Sequence, residues 1–114
     1  MHTAAEGELL RIFISKNDTL DGACLYERIV DEARKLGMSG ATVLRGVMGF
    51  GVGSEIHTAK WIRLNEDMPV VVEIVDTTEN IQKIIPFLDR VLGDGFVTLE
   101  KVRYRKYRHS ESSG

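Results

Sequence analysis

The residues best suited to chemistry in this chain are glycines and arginines, and the chemistry they suit is the binding of a small anion. Residues 40–60 read GATVLRGVMGFGVGSEIHTAK, with glycines at 46, 49, 51 and 53 followed by the polar run Ser54, Glu55, His57, Thr58 and Lys60. A stiff strand opening into a loop with backbone freedom is a good place to hold a ligand. Gly49, Phe50 and Gly51 suit a ring stacked beside a hinge, and equally suit a plain connector anchored by its aromatic residue. A second glycine pair, Gly93-Asp94-Gly95, offers backbone N–H groups that can converge on an anion; a helix stop followed by a tight turn would explain it equally well. Arg103 and Arg105 stand at alternate positions of a predicted strand, hence on one face, where planar guanidinium forks suit phosphate.

Other reactive types are sparse. His57 is the single histidine outside the terminal segments and Cys24 the single cysteine. No metal-ligand spacing emerges from them, because a structural or catalytic zinc needs three or four protein ligands. No Ser/His/Asp or Cys/His set can be placed together. Glu73 and Asp76 are three apart on one predicted strand and fall on opposite faces, so they form no acid–base pair; Arg45 is one candidate partner for Glu73. The expectation is a binding protein and not an enzyme. Trp61, in an otherwise polar arm with Glu55, His57 and Lys60, is a candidate partner-binding anchor.

The elements that must position these groups follow from periodicity. Residues 1–7 are small and polar and are expected to be disordered. Glu8 to Ser15, ELLRIFIS, reads as a strand. Leu25, Ile29, Ala33 and Leu36 recur at helical spacing, with Asp21 as a cap and Gly37 as a stop. Thr42 to Phe50 is the second strand, interrupted by glycines that mark a bulge or a close approach. Lys60 to Leu64 is a short strand or ordered arm. PVVVEIVD, 69–76, is apolar on both faces. Thr77 or Thr78 caps a second helix whose stripe is Ile81, Ile84, Ile85, Leu88, Val91 and Leu92, and Pro86 should kink or divide it. Phe96 to Tyr104 is the last main strand, and residues 109–114 are a loose tail.

The order strand, helix, strand, arm, strand, helix, strand gives an α+β fold, the ferredoxin-like βαββαβ sandwich, in a single domain over 8–108. Two helices cover one face of so small a sheet. The second apolar face of PVVVEIVD then calls for another copy of the chain. The 114 residues carry a formal net charge of −2, which argues against non-specific nucleic-acid binding. No apolar run is long enough to span a bilayer, no secretory signal is evident, and one cysteine suits a reducing, cytoplasmic setting.

The segments LYERIV, GATVLRGVMGFG, IHTAK, PVVVEIVD and VTLEKV together resemble the PII signalling family, and more closely its uncharacterised PII-like relatives grouped as domain of unknown function 190. The resemblance spans nearly the whole chain. It implies a homotrimer with the open sheet faces turned inward, a mobile arm that contacts a target such as a transporter or an enzyme, and adenine nucleotides bound between subunits. It places the ligand at Gly49, Phe50 and Gly51 of the arm base, at Gly93, Asp94 and Gly95 of the turn, and at Arg103 and Arg105 from the neighbouring subunit. Phe96 stands where PII proteins carry a phosphate-contacting lysine, Val52 where they carry a glutamine that supports 2-oxoglutarate and metal binding, and Trp61 where some carry a uridylylated tyrosine. These departures leave two readings of the ligand: a nucleotide with less phosphate, such as AMP, ADP or a cyclic nucleotide, or a quite different small molecule. The alternative is a divalent-metal-binding trimer of the cation-tolerance type, which shares the subunit plan.

Overall fold

The computed structural model describes residues 2–49 and 68–109. Strand β1, His2–Ser15, leads through a small hairpin, β2 Thr19–Leu20 and β3 Ala23–Cys24, into helix α1, Leu25–Lys35. Strands β4, Thr42–Arg45, and β5, Pro69–Asp76, are followed by helix α2, Thr78–Val91, and strand β6, Phe96–Tyr107. The four long strands form one antiparallel sheet in the order β4-β5-β1-β6. That order and the two helices make the ferredoxin-like sandwich expected from the pattern.

Alternation divides the sheet into two faces. Leu10, Ile12 and Ile14 of β1 and Val70, Val72 and Ile74 of β5 are buried together with Leu25, Ile29 and Ala33 of α1 and Ile81, Ile84 and Leu88 of α2. Each fully buried Leu or Ile contributes about 1.5–3 kcal/mol. The opposite face carries Leu9, Arg11, Phe13, Val71, Glu73 and Val75, all half-buried, and neither described helix lies over it. Glu73 and Asp76 fall on opposite faces, as their spacing requires.

Local chemistry explains most element ends. Thr77 is the N-cap of α2, its hydroxyl accepting from the Asn80 N–H at 3.2 Å. At the end of α1, Gly37 has φ 78° and the N–H groups of Gly37 and Met38 donate to the carbonyls of Arg34 and Ala33. That paired arrangement satisfies two terminal carbonyls and needs the left-handed residue glycine supplies. Asp76 is the buried polar residue among the described core. Its carboxylate accepts from the Ser39 N–H at 2.8 Å, the Ser39 hydroxyl at 3.2 Å, the Thr77 N–H at 2.7 Å and the Asn80 amide at 2.9 Å. It thereby ties the α1–β4 connection to the start of α2.

Several expectations are corrected. Residues 2–7, expected to be disordered, belong to β1 and pair with β6 in a continuous register from His2↔Tyr107 to Phe13↔Phe96. Six small or polar residues lack the apolar alternation that marks a strand, but the long partner β6 supplies their backbone hydrogen bonds. Asp21 is not the cap of α1; it occupies the β2–β3 turn at φ 52°, and Cys24 holds the N-cap position without a side-chain cap bond. The second strand ends at Arg45, not Phe50. Pro86 does not divide α2, which continues from Thr78 to Val91 with Pro86 on its exposed side. The last strand extends to Tyr107. Among the described residues no helix is long and apolar enough to cross a membrane.

Candidate functional site

The arm base and the glycine turn come to the same end of the sheet. Beyond β4, the Gly46 N–H donates to the Pro69 carbonyl at 2.8 Å, and a Cβ on Gly46 would lie 2.7 Å from Pro69 Cγ. The close approach anticipated inside the strand pattern is therefore real, and its partner is β5. Gly49 also lies against Pro69. Pro69 pairs with Ser15 at the end of β1, and Gly95, just before β6, approaches the Phe13 carbonyl. Gly49 thus lies against β5 and Gly95 against β1, which are neighbouring strands of the sheet.

The two glycines of the turn have different explanations. A Cβ at Gly95 would stand 3.0 Å from the Phe13 carbonyl oxygen, so β1 alone accounts for glycine there. Gly93 has open space around its Cβ position and does not have a positive φ. It is not a helix stop either, because α2 ends at Leu92 in an extended conformation whose N–H donates to the Leu88 carbonyl. Nothing within the described chain requires glycine at 93. Asp94 beside it is exposed.

Arg103 and Arg105 lie at the far end of β6. Arg103 is eight steps along the chain from Gly95, about 26 Å in an extended strand. In the β1–β6 ladder Arg103 faces Glu6 and Arg105 faces Ala4, so the two arginines share a face. With Ala4, Ala5, Glu6 and Tyr104 they line a shallow hollow of about 670 Å³. One chain thus brings Gly49 and the turn to one end and carries the arginines to the other. Phe50, Gly51, Glu55, His57, Lys60 and Trp61 lie outside the described residues, as does the expected short strand at 60–64.

The open sheet face carries a charged cluster that sequence reasoning missed. Arg11 Nε donates to Glu73 Oε2 at 2.9 Å and Arg11 Nη1 to Glu100 Oε1 at 3.1 Å. The hydrogen bond that Arg11 donates to Glu73 is the largest influence raising the Arg11 pKa. The partner of Glu73 is therefore Arg11 and not Arg45, which pairs with Val70 and so points to the opposite face from Glu73. The signal was present: Arg11 and Glu73 each break an apolar run at a position out of phase with the buried residues. Among the described residues no three His, Cys, Asp or Glu side chains cluster as a metal site.

Known proteins share this architecture. A PII-like signalling protein from Thermus thermophilus superposes with a TM-score of 0.61 at 18% identity, covering 89% of this chain and 91% of its own. CPII from Thiomonas intermedia, in a structure bound to ADP and bicarbonate, superposes with a TM-score of 0.55 at 16% identity, covering 90% and 91%. At these identities the likeness is one of fold. A UPF0166 protein from Aquifex aeolicus is 39% identical over 97 residues, 83% of this chain and 90% of the relative. Residues 7–104 match the model of the DUF190 family, described as uncharacterized ACR, and the chain belongs to that family.

Proposed function

We infer that this is a PII-like regulatory protein: a homotrimer that binds an adenine nucleotide in the clefts between subunits and acts on a target protein through its arm. The observation that carries the reading is Gly93, which is free of any steric or conformational demand from the described part of its own chain. Glycine at such a position suits close approach by a group from outside the chain. The separation of the turn from Arg103 and Arg105 supports a cleft made by two subunits, since neither half reaches the other within one chain. The ADP held by CPII, which has the same fold, supports the ligand class. AMP, ADP and cyclic nucleotides are the candidates.

The uncovered sheet face supports assembly. Leu9, Phe13, Val71 and Val75 are half-buried there without a covering layer among the described residues, and Phe96 stacks on Phe13 with centroids 4.8 Å apart. Three copies turning this face inward would remove it from water. For regulation, the ligand must bind one state of the arm from Val52 to Asp67 better than the other, because equal affinity shifts nothing. The target would be a transporter or an enzyme, and the reading includes no turnover of the nucleotide.

Native mass spectrometry with AMP, ADP and cyclic nucleotides added singly tests this. The expected result is a trimer that takes up to three copies of one nucleotide. A trimer that takes none removes the nucleotide and keeps the assembly; a monomer removes the clefts.

A further inference from the structure

Glu6 stands directly across from Arg103 in the β1–β6 ladder, and both line the hollow with Arg105. Opposed residues in an antiparallel pair hold their Cβ atoms about 4.5–5.5 Å apart, close enough for a carboxylate and a guanidinium to pair. Yet among the described residues Glu6 makes no ion pair with either arginine; the salt bridges of the strands' exposed surface are those of Arg11. All three side chains are exposed, and Ala4, across from Arg105, leaves room beside the second guanidinium. The hollow therefore presents two open donor forks and, beside them, one open acceptor.

A bare anion uses only the donors and meets Glu6 as a repulsive neighbour. A molecule that joins phosphate to a pair of hydroxyls uses both: the phosphate accepts from the arginines, and the hydroxyls donate to the carboxylate, as acidic side chains do toward ribose. We propose that Glu6 is a specificity residue, which accepts hydrogen bonds from the ribose hydroxyls of a bound nucleotide and whose charge disfavours long phosphate chains. This rests on the nucleotide reading above. It also supplies a reason, from this chain's own residues, for a site that favours few phosphates. A unit charge about 6 Å away in water-like surroundings changes affinity about threefold for each added phosphate charge. The outer phosphates lie farther off and salt screens them, so between a monophosphate and a triphosphate the effect amounts to about three- to fivefold.

The test is calorimetric titration of the full-length protein with AMP, ADP, ATP and 2′,3′-dideoxy-AMP, using wild type, Glu6→Gln and Glu6→Asp. In Glu6→Gln the ratio of ATP to AMP affinity rises about three- to fivefold, and the preference of wild type for AMP over its dideoxy analogue shrinks. Glu6→Asp keeps the charge and shortens the reach, so it retains the phosphate ranking and loses the hydroxyl preference. Glu6 is exposed, so neither variant threatens the fold. Unchanged ratios in Glu6→Gln, with nucleotide still bound, overturn the role of Glu6 alone. A wild-type trimer that binds none of the four overturns the nucleotide reading and this inference with it.

Discussion

Arg11 and Glu73 form a 2.9 Å ion pair in the middle of the sheet face that neither described helix covers, with Glu100 joining Arg11 at 3.1 Å. Around them lie Leu9, Phe13, Val71 and Val75. In the isolated chain such a pair is partly exposed and screened by water, so it contributes little. Buried against other copies it would be desolvated, and removing one member would leave an uncompensated charge. Arg11→Met should therefore barely change monomer stability but clearly weaken assembly, because Glu73 and Glu100 lose their shared cation. Arg11→Met with Glu73→Gln should recover part of the loss. Native mass spectrometry over a dilution series checks this, and an Arg11→Met protein that assembles like wild type would show that the face stays in water.

Asp76 makes a prediction about pH. Burial pushes its carboxyl upward, but the hydrogen bonds from the Ser39 N–H, the Asn80 amide, the Thr77 N–H and the Ser39 hydroxyl outweigh burial and hold it below the usual carboxylate value. A group depressed in the folded state stabilises fully above its unfolded value, near 3.9, and loses that contribution as pH falls through its folded value. Unfolding free energy should therefore decline below about pH 4, and the decline should be shallower in Asp76→Asn. At neutral pH Asp76→Asn should cost about 2–3 kcal/mol, since the new NH₂ group meets donors where an acceptor stood. Urea titrations across the acid range measure both, and a parallel pH dependence in the variant would exclude Asp76 as its source.

Both the sandwich and its polar lock lie close to the sequence surface in some places and far from it in others. Thr77, Gly37 and the alternation of PVVVEIVD act locally, so residue type and spacing sufficed to read them. The strand character of residues 2–7 depends on a partner almost a hundred positions away and leaves no local period. Gly95 could be read as a phosphate cradle because sequence does not reveal that the Phe13 carbonyl lies 3.0 Å from its Cβ position. Gly93 could be read as a helix stop because the conformation of Leu92 is equally invisible. Glu6 escaped notice because the segment containing it carried no signal of order.

Gly7 shows what the extended β1 costs in sequence freedom. A Cβ there would collide with the Asp76 carbonyl oxygen and lie 3.0 Å from Tyr104 Cε1. Backbone cannot yield as a flexible side chain can, so Gly7→Ala should destabilise by about 1–3 kcal/mol. Gly40 has open space and no positive φ, and Gly40→Ala should be neutral or stabilising by about 0.5 kcal/mol. Chemical denaturation of the two variants makes the comparison. Equal stabilities would mean that β1 and the end of β5 are not packed as closely as described.

The two-subunit cleft predicts complementation. Gly93→Val fills the open space beside the turn without a clash in its own chain, and Arg103→Ala removes one guanidinium fork from the far end of the paired strands β1 and β6, the ribbon that carries Arg103 and Arg105, so each alone should abolish nucleotide binding while leaving a folded trimer. When equal amounts are unfolded, mixed and refolded, random trimers contain clefts whose turn comes from an Arg103→Ala subunit and whose ribbon comes from a Gly93→Val subunit. Such a cleft is intact, and chance makes it roughly a quarter of all clefts in a cyclic trimer. Nucleotide binding should return to about that fraction of wild type, measured by titration of the mixture against the two unmixed variants carried through the same cycle. Recovery distinguishes a shared cleft from a site within one chain, because the mixture restores no chain that holds both Gly93 and Arg103. A mixture as inactive as its components would place turn and ribbon in separate roles and leave the position of Gly93 to be explained by a neighbour other than the nucleotide.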